Sequence, residues 1–120
     1  MRALLLIDHG SRAAEANQLS QRFGKTLGQK SGIPVYVAHM ELAAPTIADQ
    51  FMAARSDGCT HVDVLPLFFA PGKHLRTDIP ALLSAASAAT GLPYTLGSAM
   101  LEDPDFLIYC LGRLQRSEPH

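Results

Sequence analysis

Three side chains in this sequence carry reactive chemistry at positions just beyond apolar or extended stretches: His9, Glu41 and His74. Neutral imidazole is the commonest side-chain ligand for borderline divalent metals such as iron, cobalt, nickel and zinc, and a carboxylate can ligate or take up protons. Two imidazoles and an acid therefore suit the handling of a divalent ion, with a base at hand for any proton the ion displaces. By residue type alone, a plainer assignment fits as well. His9 would be bonded to backbone at a strand end, His74 would cap a helix, and Glu41 would be a solvated surface acid. His39 is a further imidazole. In an extended strand it points to the same side as Glu41 and can serve as an extra ligand, but a packed or hydrogen-bonded role is favoured.

The elements that position these groups alternate between strand and helix. Ala3-Leu4-Leu5-Leu6-Ile7 is a continuous apolar run that stops at a polar, glycine-containing turn, as a strand buried on both faces does. From about residue 12 to 30, Ala16, Leu19, Phe23 and Leu27 recur at helical spacing; Gly32 followed by Pro34 supplies a stop, while Gly24 and Gly28 weaken the helix. Residues 34–40 read as a second strand, 47–55 as a second helix and 61–68 as a third strand. Residues 77–89 read as a third helix begun near Asp78 and Pro80, 93–98 as a fourth strand, and 104–114 as a last helix. This order predicts an α/β fold, a small doubly wound four-stranded parallel sheet with helices on both faces. In such sheets ligands bind beyond the carboxyl ends of the strands. The residues there are Asp8-His9-Gly10-Ser11-Arg12, then His39-Met40-Glu41, then Phe69-Ala70-Pro71-Gly72-Lys73-His74.

Composition narrows the function classes. A chain of 120 residues, 48% of them hydrophobic, can fill one core, so a single domain over 1–120 is expected. Charged residues make up 18% and the formal net charge is -1, which leaves no overall field to draw the chain to nucleic acid or an anionic membrane. The apolar run 3–7 is shorter than the roughly 7–15 residues of a signal peptide, and no segment reaches membrane-spanning length, so a cytoplasmic protein is expected. Cys59 and Cys110 lie far apart and are expected to be buried, reduced thiols; Met40, Met52 and Met100 are expected to fill core. A serine hydrolase is disfavoured because Ser11 has only Gly10 before it and Arg12 after it, whereas the nucleophile elbow sets serine between two glycines. Gly10 also stands alone where a phosphate loop needs several glycines, so no nucleotide cofactor is implied.

Taken in order, His9-Gly10-Ser11-Arg12, Glu41-Leu42-Ala43 with Pro45, and Pro66-Leu67-Phe68 leading to Gly72, His74 and Asp78-Ile79-Pro80 resemble the short CbiX-type sirohydrochlorin chelatases. The resemblance implies insertion of a divalent metal into a tetrapyrrole and a fold that is one half of a class II chelatase architecture. It implies that His9 and His74 face a cleft where metal and macrocycle meet, with Glu41 assisting. The metal is then a substrate, with no tightly bound cofactor. The ranking by resemblance is cobalt, then iron, then nickel, for cobalamin, sirohaem-type or methanogenic cofactor synthesis respectively. Long family members contain two such halves, so a homodimer is implied for a short chain. Sirohydrochlorin carries many carboxylates; Arg12, Lys73 and Arg76, with the backbone N–H groups around Ser11 and Arg12, are the nearest donors. Phe69 or Ala70 is expected to touch the macrocycle. A non-catalytic metal or tetrapyrrole carrier would use the same rim. The chain departs from the family pattern at Asp8, His39, Ala44 and Pro71, where glycine, a bulky apolar residue, an acid and glycine are common.

Overall fold

The computed structural model describes residues 1–116. Its strands are β1 (Arg2–Asp8), β2 (Val35–His39), β3 (His61–Pro66) and β4 (Tyr94–Leu96), and its helices α1 (Ala14–Ser31), α2 (Ile47–Ser56), α3 (Ile79–Thr90) and α4 (Pro104–Arg116). A π-turn, His74–Asp78, leads into α3, and a 3-10 turn, Met100–Glu102, precedes α4. All strand pairs are parallel, in the order β2-β1-β3-β4, the α/β arrangement expected from the alternation. The chain runs outward from β1 to β2, then crosses back to β3. The strand order therefore reverses between β1 and β3, and their carboxyl ends open the crevice where such sheets bind ligands.

One face of the sheet carries the core. Ala3, Leu5, Ile7, Ala38, Val62 and Val64 pack with Ile47, Phe51 and Ala54 of α2 and Ile79, Leu83 and Ala86 of α3. Thr46 starts α2 with a capping box, accepting from the Asp49 N–H while the Asp49 side chain accepts from the Thr46 N–H.

The other face is covered only in part. α1 lies across β2 on its glycines: a Cβ on Gly24 would stand 2.4 Å from Val37 Cγ2, and one on Gly28 would stand 3.6 Å from Val35. Close approach is what these glycines supply, at some cost in helix propensity. Leu19 and Phe23, at helical spacing, are left 62% and 55% exposed. α4 meets this face only through its first turns, where Phe106 and Tyr109 share a groove with Phe23 and Leu65; its main neighbour among the elements is the 3-10 turn before it. Extents of 54 × 32 × 29 Å and a radius of gyration of 15.1 Å, against about 13.6 Å for a compact chain of this length, reflect the projection. Two expectations are corrected in consequence. Cys110, on α4, is exposed rather than buried, while Cys59 is buried. Met52 is half exposed, on the outer side of α2, whereas Met40 packs against the core. Among the described residues no helix is long and apolar enough to cross a membrane.

Candidate functional site

The site forms where β1, β2 and β3 end. Side chains alternate across a strand, so His9, two residues beyond the core-facing Ile7, leaves β1 on the side of α2 and α3. The β1–β2 ladder continues past the strand ends: the Met40 N–H donates to the Asp8 carbonyl at 2.9 Å and the Glu41 N–H to the His9 carbonyl at 3.1 Å. Gly10, at φ +90°, makes this possible, because a Cβ there would sit 1.9 Å from the Glu41 carbonyl oxygen. Leu42 follows in the left-handed region at φ 71°, and the Pro45 carbonyl accepts from the His39 N–H at 2.9 Å, so Glu41 sits on a tight turn closed back onto β2.

Within this frame His9 Nε2 lies 3.1 Å from Glu41 Oε1, and its Nδ1 lies 3.4 Å from the Gly10 carbonyl. The rings of His9 and His74 stand edge to face with centroids 4.9 Å apart. His74 Nδ1 lies 2.8 Å from Asp78 Oδ2. Each imidazole is thus paired with its own carboxylate, and both carboxylates line one open groove of about 340 Å³ with Met40, Ala81 and Leu82. His9 and His74 are 43% and 47% exposed and Glu41 is 50% exposed, so solvent reaches every member. Among the described residues no three His, Cys, Asp or Glu side chains already surround a common centre. An ion entering here would have to draw His9 from Glu41.

His39 lies on the opposite side of the strand. It is fully buried; its Nδ1 donates to Asp8 Oδ1 at 2.6 Å and its Nε2 accepts from Gln21 Nε2 at 3.2 Å. Ser20 Oγ donates to the other Asp8 oxygen at 2.6 Å. His39 is therefore no ligand beside Glu41 but holds the packed, hydrogen-bonded role favoured for it, its ring engaged by Asp8 and Gln21 while Glu41 meets His9. The departures at Asp8 and His39 answer one another: they are register partners in the β1–β2 ladder, and each satisfies the other's buried polar atoms.

The structure brings His9, His74 and Glu41 together. It does not bring Phe69, which is 63% exposed with its ring 6.2 Å from Phe106 of α4, lining a separate apolar groove with Phe23, Met100 and Tyr109. Ala70, Lys73 and Arg76 are exposed on the loop and turn that carry His74, and Arg12 is exposed after β1. The Ser11 N–H is not free for an anion, because it donates to Asn17 Oδ1 at 3.0 Å while Asn17 Nδ2 donates to the Ser11 carbonyl at 2.7 Å. α1 begins only at Ala14, and Ser11 Oγ accepts from the Ala13 N–H. Asp78, expected only to start a helix, is the residue that sequence reasoning missed. Its signal was the four-residue spacing from His74, which one helical turn converts into proximity.

Known proteins share this sequence pattern and fold. The sequence pattern of the CbiX family matches residues 3–117. The chain is 41% identical over 95 residues to the chloroplastic sirohydrochlorin ferrochelatase of Arabidopsis thaliana, covering 78% of this chain and 42% of that one. The structure of a cobalamin (vitamin B12) biosynthesis CbiX protein from Marinobacter aquaeolei VT8 superposes with a TM-score of 0.83 at 26% identity, covering 96% of this chain and 93% of that one. The sirohydrochlorin chelatase SirB from Bacillus subtilis subspecies spizizenii, in complex with cobalt, superposes with a TM-score of 0.80 at 28% identity; 95% of this chain matches 50% of that chain. The chain thus spans less than half the length of the Arabidopsis relative and half that of the Bacillus one. It is a member of the CbiX family.

Proposed function

We propose that this chain is a sirohydrochlorin chelatase that exchanges the two pyrrole N–H protons of the macrocycle for a divalent metal ion. The observation that carries the reading is the His9–His74 pair, 4.9 Å apart across the β1/β3 crevice, each ring with a carboxylate at hydrogen-bond distance. Insertion needs transient ligands that release the ion and bases that receive protons, and it must shed metal-bound waters stepwise. Two half-exposed imidazoles meet the first need, holding the ion over the ring through the Nε2 lone pair of His74 and a ring nitrogen of His9 once its contact with Glu41 opens. Glu41, in contact with His9, meets the second: as the ion leaves His9 for the ring, the imidazole and the carboxylate take up the displaced protons and pass them to solvent. Arg12, Lys73 and Arg76 stand on the rim for the substrate carboxylates. The metal order remains cobalt, then iron, then nickel; a ferrochelatase relative and a cobalt-bound one support both leading candidates.

We further propose that two copies form the working unit. A flat tetrapyrrole exceeds a groove of about 340 Å³, so one chain offers it only one wall. α4 also leaves Leu107, Ile108, Leu111 and Leu114 between 50% and 71% exposed beside a sheet face that α1 covers only in part. Apolar patches of this kind mark protein interfaces.

The test is an anaerobic absorbance time course with sirohydrochlorin in excess over protein and Co2+, Fe2+ or Ni2+ supplied separately. Repeated turnover above the protein-free rate is the expected result, and the relative rates order the metals. Spectral change that halts at one equivalent, or a rate equal to the protein-free control, would reject the chelatase and leave the carrier reading ahead.

A further inference from the structure

We propose that Asp78 is a positioning residue that fixes which nitrogen of His74 faces the incoming metal. The inference rests on the reading of His74 as a metal-handling imidazole and adds to it a residue outside the His9, His74 and Glu41 set.

Asp78 lies within a helical stretch that runs without a break from the π-turn into α3. Its backbone is helical at φ -72°, ψ -46°, and its side chain caps no helix N–H. The carboxylate is turned instead to His74, with Oδ2 at 2.8 Å from Nδ1. The backbone between them is unusual too. Residues His74–Asp78 form a single π-turn, in which the Ile79 N–H donates to the His74 carbonyl. Isolated π-turns inside helices concentrate at functional sites. This one puts Asp78 on the lining of the groove that Glu41 shares, with the His74 ring bonded to it.

The chemistry follows from the bond. A neutral imidazole has one N–H and one lone pair, and a carboxylate accepting at Nδ1 holds the N–H there. The lone pair is then left at Nε2, on the far edge of the ring from Asp78. Without that acceptor the ring can rotate and exchange tautomers, and both freedoms reduce the fraction able to take an ion. Outer partners of this kind are generally worth about 10- to 100-fold in metal affinity. The pair is half exposed, at 47% for His74 and 37% for Asp78, where an ion pair contributes little to stability.

The experiment compares wild type, Asp78→Ala and Asp78→Asn by two readouts. Nitrogen-15 NMR of the metal-free imidazoles, at a pH where free histidine is neutral, reports the His74 tautomer. Titration with Co2+, followed in the visible absorption of the ion, reports affinity. The wild type is expected to carry the His74 proton on Nδ1. Asp78→Ala should shift it toward Nε2 and weaken Co2+ binding by about 10- to 100-fold with the melting temperature unchanged. Asp78→Asn, whose amide oxygen can still accept at Nδ1, should restore the tautomer and most of the affinity. A His74 signal identical in wild type and Asp78→Ala, or equal Co2+ affinity in the two, would overturn the assignment of Asp78 alone. A wild type that binds no Co2+ while its tautomer still answers to Asp78 would overturn the metal-handling reading of the site, and with it this role.

Discussion

The distance between His9 and Glu41 depends on a residue that takes no part in the chemistry. Gly10 sits at φ +90° with its missing Cβ aimed at the Glu41 carbonyl, 1.9 Å away. Gly10→Ala should therefore destabilise the chain by more than the roughly 1–3 kcal/mol of an unfavourable backbone region alone, as measured by denaturant unfolding. It should also part His9 from Glu41; an alanine variant with unchanged stability would show that the loops can give way. At this scale the sequence was informative about residue types and less so about pairing. His9, Glu41 and His74 were legible because strand ends are where a parallel sheet exposes function. The His39–Asp8 and His74–Asp78 bonds were not. The first joins register partners 31 positions apart, and the second needs a helical turn where a loop was expected. The Ser11 N–H, expected to face substrate, is instead held by Asn17, a competition of side chain with ligand that spacing does not reveal.

Elements were read correctly in kind and order, but not in how they pack. The first helix was recognised from Leu19 and Phe23, yet it meets the sheet on Gly24 and Gly28, which a hydrophobic pattern scores as weaknesses. Gly24→Ala should push α1 off Val37 and cost about 1–3 kcal/mol, as overpacking does, despite the better helix propensity of alanine; a rise in melting temperature would show that propensity outweighs the clash. On the part of the sheet that α1 leaves open, Asp63 accepts from the Thr95 hydroxyl at 2.8 Å and neighbours His61 and Arg2. The Thr95 hydrogen bond, and to a lesser degree the His61 and Arg2 charges, hold its carboxyl below the ordinary carboxylate value against some desolvation. A depressed folded value stabilises the fold above the unfolded value, and that contribution fades as pH falls through the folded one. Asp63→Asn should therefore lower the melting temperature at neutral pH, with the gap to wild type closing below about pH 4. A gap that stays constant down to the acid transition would remove the carboxylate from the account.

For the whole molecule, the projecting α4 carries the proposal that two copies form the working unit. Nothing in the pattern of 104–114 distinguished a helix folded onto its own sheet from one that stands away. Both show the same amphipathic spacing in sequence. Ile108→Glu with Leu111→Glu should convert a dimer to a monomer by light scattering, leaving the far-ultraviolet dichroism intact; a wild type that is already monomeric would contradict the two-copy unit. Tyr36, whose phenol is raised by burial and by its bond to Asp57, reports on the opposite, well-covered face and should not respond to that change. The central claim is that metal passes to the macrocycle between His9 and His74. It is tested most directly by the multiple-turnover rate of Co2+ insertion into excess sirohydrochlorin for wild type, His9→Ala and His74→Ala, each shown to be folded. Wild type is expected to turn over repeatedly, and each alanine variant to fall to the protein-free rate or close to it; full activity in a folded His74→Ala protein would contradict the account.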